Sequence, residues 1–198
     1  MDLDALTPEA HLVERVLSFW LGEPGADGML ERRDIWFETI AAFDDEIRTT
    51  FLADFEAAAA GELDGLNDWP EGCLALIILL DQFPRNMFRG TGRAFATDDQ
   101  ARAVTFHVLE QGWDQDQDPM KRMFFYITLE HSEDLEDQEL SLAVFEDIIQ
   151  ENEKWKRAIE RHHEIIARFG RFPHRNVALG RTSTAEELAF LEEPQSSF

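Results

Sequence analysis

The sequence predicts an all-α protein, built as a single domain over residues 1–198 with about eight to ten helices. Three observations lead to this fold class. Residue types that begin and end helices recur along the chain, apolar residues repeat at helical spacing, and no stretch shows the strict apolar–polar alternation of a half-buried strand. The joints between the predicted helices are short, so no linker sets off a second domain.

The first half of the chain predicts an N-terminal helix, an aromatic-rich helical stretch and one fully buried helix. Thr7 followed by Pro8 is a helix start, and Gly22 ends that helix. Residues 35–61, rich in Phe and Ala, predict one or two further helices. The run 73–80 is apolar on every side, which is typical of a helix at the centre of a core rather than at its surface.

The second half carries a start signal for several of its predicted helices. An N-cap side chain accepts a hydrogen bond from a backbone N–H of the first turn, so Ser, Thr and Asp favour these positions. The start signals are the capping box Thr97–Gln100, Asp118 before Pro119, Ser132, and Thr184 with Glu187. The helix that carries the apolar stripe from Trp155 to Phe169 ends at Gly170.

Composition excludes several classes of protein. The chain has 41 acidic and 18 basic residues and a formal net charge of −23, which argues against binding to nucleic acid or to an anionic membrane surface. Its single cysteine, Cys73, can form no intrachain disulfide, and the longest apolar run is too short to span a membrane. The start of the chain lacks the features of a signal peptide, so we expect a soluble, cytoplasmic protein.

The most informative feature is the concentration of arginine in two short segments, which we call the arginine islands. Residues 81–93 carry a charge of +2, and residues 168–181 carry +4 with no acid among them. Each island contains a Phe-Pro pair, Phe83-Pro84 or Phe172-Pro173. Because proline is disfavoured inside a helix and favoured at its first position, each pair predicts the end of one helix and the start of a new short one. Because each island is cationic and lacks sufficient local acid, we expect the two to lie together in space.

Three interpretations of the islands stay open. In the first, the acids of residues 130–139 pair with the arginines, and the network is a structural scaffold. In the second, the arginines line a pocket for an anionic small molecule or a peptide carboxylate. In the third, the protein is an enzyme in which Glu130, His131, Glu133 or Asp134 supplies acid–base or metal-ligand groups. We predict that Glu130, Glu133 or Asp134 contacts at least one island arginine, and that Asp81 helps from within its own island.

The chain contains no H-E-x-x-H motif, and we expect no metal ion and no cofactor.

Several strings in the chain are distinctive: FWLGEPG, DQFPRN, EHSED, FGRFPHRN and the terminal SSF. On these strings the chain resembles, over nearly its whole length, the bacterial family called domain of unknown function 924. The resemblance implies antiparallel helix pairs in a TPR-like superhelical arrangement, and it brings no established activity.

The expected ligand site is a pocket lined by arginine, asparagine and histidine. Its expected ligand-binding residues, all of which belong to the family pattern, are Asp81, Arg85, Asn86, Arg89, His131, Arg171, His174, Arg175, Asn176 and Arg181. The terminal carboxylate of Phe198 is a candidate internal occupant, because a terminal anion fits an arginine pocket.

Overall fold

The computed structural model describes residues 7–149 and 153–197. This part of the chain contains no strand and is 69% helical, which confirms the predicted all-α fold. The helices are α1 (Pro8–Leu21), α2 (Ala41–Ala59), α3 (Pro70–Ile77), α4 (Phe83–Met87), α5 (Asp98–Gln111), α6 (Pro119–Glu130), α7 (Leu135–Ile149), α8 (Glu153–Phe169) and α9 (Ala185–Leu191). The TPR-like superhelical arrangement stays a prediction. Within the described ranges, no helix is long and apolar enough to cross a lipid bilayer.

Three of the predicted helix starts are confirmed by hydrogen bonds. The side chains of Thr7 and Asp118 accept hydrogen bonds from backbone N–H groups in the first turns of α1 and α6. At α9, Thr184 and Glu187 form a reciprocal capping box. These caps satisfy donors that the first turn of a helix would otherwise leave unpaired.

Two predicted starts are wrong in detail. The Thr97 hydroxyl makes no capping bond; it donates instead to the carbonyl oxygen of Leu80, so the capping box is not formed. At α7 the cap is Asp134, whose carboxylate accepts from the Glu136 N–H at 3.0 Å, while the Ser132 hydroxyl accepts from the Asp134 N–H at 3.1 Å. In both places the hydroxyl expected to cap the helix donates to another polar group, the Leu80 carbonyl for Thr97 and the Asp137 carboxylate for Ser132.

The first island begins inside a continuous helix. Helix α3 runs through a π turn at Ile78–Gln82 directly into α4, and Pro84 lies in the first turn of α4. Pro84 therefore does not mark a helix exit. It has no N–H to donate to the Leu80 carbonyl oxygen, and the Thr97 hydroxyl donates to that oxygen in its place. The predicted central burial of residues 73–80 is confirmed, since all of them are buried.

The main core surrounds this helix and is rich in aromatic rings. Phe83 lies 4.7 Å from Phe51 and 5.6 Å from Trp20, between ring centroids, and Trp20 lies 5.8 Å from Phe124. Such offset and edge-on pairs add to the stabilisation that burial of the rings provides. The core thus fixes the α3–α4 helix, and with it Asp81 and Arg85.

The second island packs on a separate, smaller apolar cluster. That cluster joins α8, the segment after it and α9, and its buried residues are Ile165, Ile166, Phe172 and Phe190. Pro173 opens a single 3-10 turn, Pro173–Arg175, as its Phe-Pro pair predicted. The turn places Arg175 beside Asp98, at the N-terminus of α5.

Candidate functional site

The two islands meet at Asp98, the first residue of α5. Arg85 binds both carboxylate oxygens of Asp98, with Nη1–Oδ1 and Nη2–Oδ2 distances of 2.9 and 3.0 Å. Arg175 Nη1 lies 3.5 Å from Asp98 Oδ2. Both guanidinium groups also lie over the ring of Phe95, at 5.6 and 4.7 Å from its centroid. This geometry confirms that the islands lie together.

The other five island arginines are each paired with a carboxylate elsewhere. Arg89 binds Asp44 through Nε and Nη2, each at 3.0 Å, and Arg171 binds Glu187 through Nε and Nη2 at 2.6 and 2.8 Å. The remaining pairs are Arg93 with Glu56, Arg168 with Glu186, and Arg181 with Glu133. For these five arginines the structural interpretation is sufficient, because each already has an acid partner.

The predicted contact between the acidic run and the islands is made by Glu133. Its carboxylate accepts from Arg181 Nη2 at 2.9 Å and from the Phe172 backbone N–H at 2.8 Å. Although burial alone would raise it, the pKa of Glu133 is lowered by these bonds to Arg181 and Phe172. Arg181 completes the junction by donating to Asn176 Oδ1 at 2.9 Å and to the Phe172 carbonyl at 3.0 Å.

Arg175 differs from every other island arginine. Its side chain is only 7% exposed and is stacked between Phe95 and Phe172, with Cζ 4.7 and 4.4 Å from the ring centroids. Its buried Nε has no hydrogen-bond partner among the described residues. Burial, reinforced by the nearby Arg85 charge, lowers the pKa of Arg175 to about 10. A buried guanidinium whose donors are not all satisfied is costly to the fold.

His131 is held by Asp81 at the other side of the same region. Its Nδ1 lies 2.9 Å from each carboxylate oxygen of Asp81, which is fully buried in the π turn. Burial opposes ionisation of Asp81, but Arg85 and His131 hold its pKa at about 2. Because Asp81 is ionised and accepts from Nδ1–H, the neutral imidazole carries its lone pair on Nε2. Burial, followed by the Arg85 charge, lowers the pKa of His131 and keeps it neutral.

His131 and Arg175 both line a pocket of about 190 Å³. The pocket lies where the N-terminus of α5, the end of α6 and the second island converge. Its lining residues are Phe95, Asp98, Asp99, Arg102, Thr128, His131, Ser132, Glu133, Arg175 and Leu179. Of the ten ligand-binding residues expected from the sequence, His131 and Arg175 line the pocket. Asp81 does not line it but binds His131, and Arg85 does not line it but shares Asp98 with Arg175.

Of the remaining candidate residues, Glu133 also lines this pocket, and the others do not. Glu130 pairs with His162, whose Nδ1 is 3.0 Å from its Oε1, and Asp134 caps α7. Burial lowers the pKa of His174 to about 3, so this half-buried side chain is neutral. The paired or hydrogen-bonded residues outside the lining are Asn86, Arg89, Arg171, Asn176 and Arg181. Phe198 lies outside the described residues.

The sequence did not single out Phe95, Asp98, Asp99, Arg102 or Thr128. Asp98 belongs to the predicted capping box, and its acidic side chain at a helix N-terminus has a local explanation. Phe95 and Thr128 have no polar pattern that marks a site. These residues join the pocket because their helices pack together, which is a tertiary effect.

A larger cavity of about 670 Å³ lies beside α1, and it contains none of the candidate residues. Its arginine, Arg15, is paired with Asp54, and most of the side chains around it are exposed acids or apolar groups. Among residues 7–149 and 153–197, no group of three or more His, Cys, Asp or Glu side chains is arranged to hold a metal ion.

The fold and the pocket therefore define an all-α protein with a buried arginine–carboxylate network that surrounds one incompletely bonded arginine. Residues 16–195 match the family described as bacterial protein of unknown function, DUF924, and the chain belongs to this family. A solved structure of a protein of unknown function, ATU0120 from Agrobacterium tumefaciens, is similar to it at 39% sequence identity and a TM-score of 0.82. That similarity covers 92% of this chain and 98% of the other. No curated protein matches the chain.

Proposed function

We propose that the pocket beside Arg175 binds a small anion, the carboxylate of a metabolite or of a peptide end. The observation that carries this proposal is the Arg175 guanidinium, which lines the pocket and whose one carboxylate contact among the described residues is the 3.5 Å separation between Nη1 and Asp98 Oδ2. A planar guanidinium matches a carboxylate in shape and forms paired, charge-assisted hydrogen bonds with it.

What Arg175 lacks is hydrogen-bond acceptors rather than counter-charge. The two negative charges of Asp81 and Asp98 balance the two positive charges of Arg85 and Arg175. The oxygens of Asp81, however, accept from His131, and both oxygens of Asp98 accept from Arg85. The 3.5 Å separation between Arg175 Nη1 and Asp98 is long for a charge-assisted hydrogen bond. A carboxylate bound in the pocket would give the outer guanidinium nitrogens of Arg175 a closer acceptor.

The size of the pocket supports a small ligand group. Its volume of about 190 Å³ is well below the roughly 300–1,000 Å³ of typical drug-sized ligand sites. Such a space suits a carboxylate with a few carbon atoms, or the end of a longer molecule whose remainder lies outside.

A thermal-shift comparison tests this proposal. At about ten times its dissociation constant, a ligand should raise the melting temperature of a protein of this size by about 3–5 °C. The probes are succinate, inorganic phosphate, and one dipeptide with a free or an amidated C-terminus, all at equal ionic strength. We expect stabilisation by at least one free carboxylate in the wild type, and none in Arg175→Gln.

The matched control is Arg168→Gln, which removes an exposed arginine of the same island and should leave the ligand-induced shift unchanged. The dipeptide arms separate a peptide end from a free metabolite. If no anion stabilises the wild type, or if Arg175→Gln responds as the wild type does, the proposal is wrong.

A further inference from the structure

We propose that the same pocket is hydrolytic, with His131 as the general base that activates water to cleave a small ester bearing a carboxylate held by Arg175. This inference rests on the proposed function, because it requires the anionic group to be bound beside His131. It adds a reaction, a substrate class and a role for Asp81.

The orientation of the imidazole is the first step in this inference. Asp81 lies behind His131 at 2.9 Å from Nδ1 through both oxygens, and no described residue bonds Nε2. A carboxylate that accepts from Nδ1–H fixes the tautomer and leaves Nε2 as the proton acceptor. His131 lines the pocket, so this acceptor is available to a ligand or to water there.

The hydroxyl groups around the pocket are the second step. The Ser132 hydroxyl donates to Asp137, and Thr128 Oγ1 shares a 2.6 Å hydrogen bond with Thr105. Burial raises the pKa of the Cys73 thiol to about 11, and this cysteine lies in the main core. Because these side chains are engaged or remote, water is the nucleophile that His131 would activate.

The reaction follows from these positions and balances. Nε2 takes a proton from water as the water oxygen forms a bond to the ester carbonyl carbon. The carbon–oxygen bond to the leaving alcohol then breaks with its electron pair, and the proton on Nε2 passes to that oxygen. The products are a carboxylic acid and an alcohol, and His131 returns to its neutral form. Asp81 stabilises the transient imidazolium and is a positioning residue, not a catalytic one.

The surroundings of His131 favour the unprotonated base. The charged and titratable groups around it are Asp81 of the π turn, Arg85 of α4, Glu130 at the end of α6, Glu133 in the α6–α7 joint, His162 of α8, and His174 and Arg175 of the second island. Burial and Arg85 outweigh the carboxylates and lower its pKa. The rate should therefore be flat at neutral pH and should fall only below the usual histidine range near 6.5.

The test uses the full chain with 4-nitrophenyl hydrogen succinate, an anionic ester, and 4-nitrophenyl acetate, a neutral one. We expect the protein-dependent release of 4-nitrophenolate, after subtraction of the uncatalysed rate of each ester, to be faster from the anionic ester, with competition by succinate; the subtraction is required because the free carboxylate of the succinate ester attacks its own carbonyl group. His131→Gln should lower kcat by about 100-fold or more with little change in KM. Arg175→Gln should instead raise KM for the anionic ester. His11→Gln, which replaces an exposed histidine on α1, should match the wild type.

Folding is checked separately, because Asp81 also supports Arg85. Circular dichroism and the succinate-induced thermal shift report whether each variant keeps its fold and its binding. In Asp81→Asn, a loss of kcat with the thermal shift retained supports the positioning role. If succinate stabilises both the wild type and His131→Gln but hydrolysis is absent or equal in the two, catalysis is refuted and binding stands. If neither succinate nor any other of the anionic probes stabilises the wild type, both proposals are wrong.

Discussion

Arg175 and Arg181 lie six positions apart, yet their environments are opposite. Arg181 donates to Glu133, to Asn176 and to the Phe172 carbonyl, so its charge is balanced and its donors are used. Arg175 is more deeply buried and has only the long contact to Asp98. A buried charge without good partners opposes folding, whereas a well-bonded one becomes costly when its partner is removed.

This contrast predicts opposite effects on stability. Arg175→Met, which keeps a long apolar stem between the two rings, should leave the free energy of unfolding unchanged or raise it. Arg181→Met leaves Glu133 without its cation and should lower the free energy of unfolding by about 2–3 kcal/mol. Urea denaturation measures both. A loss in Arg175→Met as large as that in Arg181→Met would identify Arg175 as a structural residue.

At the scale of elements, the α3–α4 helix shows how a proline is tolerated inside a helical stretch. The π turn precedes Pro84, which has no N–H to donate to the Leu80 carbonyl oxygen. The Thr97 hydroxyl donates to that oxygen instead. Helix interiors normally lose about 3 kcal/mol or more to a proline. Here a side chain from the start of α5 replaces the missing donor and joins the two helices.

The double-mutant cycle of Thr97→Val and Pro84→Ala tests this compensation. Thr97→Val should lower the free energy of unfolding by about 1–2 kcal/mol, because it removes a donor from a buried carbonyl. In the Pro84→Ala background the backbone regains an N–H that can bond that oxygen, so Thr97→Val should cost less there. Thr97→Ser, which keeps the hydroxyl, is the control. If Thr97→Val lowers the free energy of unfolding equally in both backgrounds, Thr97 does not compensate for the N–H that Pro84 lacks.

The elements also show what local pattern could predict. The starts at Thr7, Asp118 and Thr184 follow from side-chain chemistry within one turn, and all three form. The capping box at Thr97 fails because its hydroxyl meets a carbonyl from another helix. Local rules hold where the competing partner is water and fail where it is another element.

At the scale of the whole molecule, charge predicted that the islands converge but not which arginine stays incompletely bonded. Segments that lack local acid must find it elsewhere, and that requirement places Arg85 beside Arg175. The identity of the shared acid, Asp98, depends on how α5 packs. Pairing of each arginine is decided by distances of a few ångströms, which spacing along the chain does not encode.

Glu133 connects the two halves of the network and gives a prediction for the whole fold. Its carboxylate ties the segment after α8 to the α6–α7 joint through Arg181 and the Phe172 N–H. That segment otherwise rests on the small cluster that includes Phe172 and Phe190.

Glu133→Gln should therefore loosen residues 170–197 selectively, since local opening free energies differ across a structure. Hydrogen bonds to a charged group contribute about 1.5–3 kcal/mol, so the protected amides of Leu179 and Arg181 should exchange about tenfold faster or more. Amides of α3 should keep their wild-type rates. Hydrogen-exchange mass spectrometry measures both regions, and Glu136→Gln, which replaces an exposed acid on α7, should change neither. An equal rise in every helix would mean that Glu133 contributes to global stability; no rise after residue 170 would mean that the apolar cluster alone holds the second island in place.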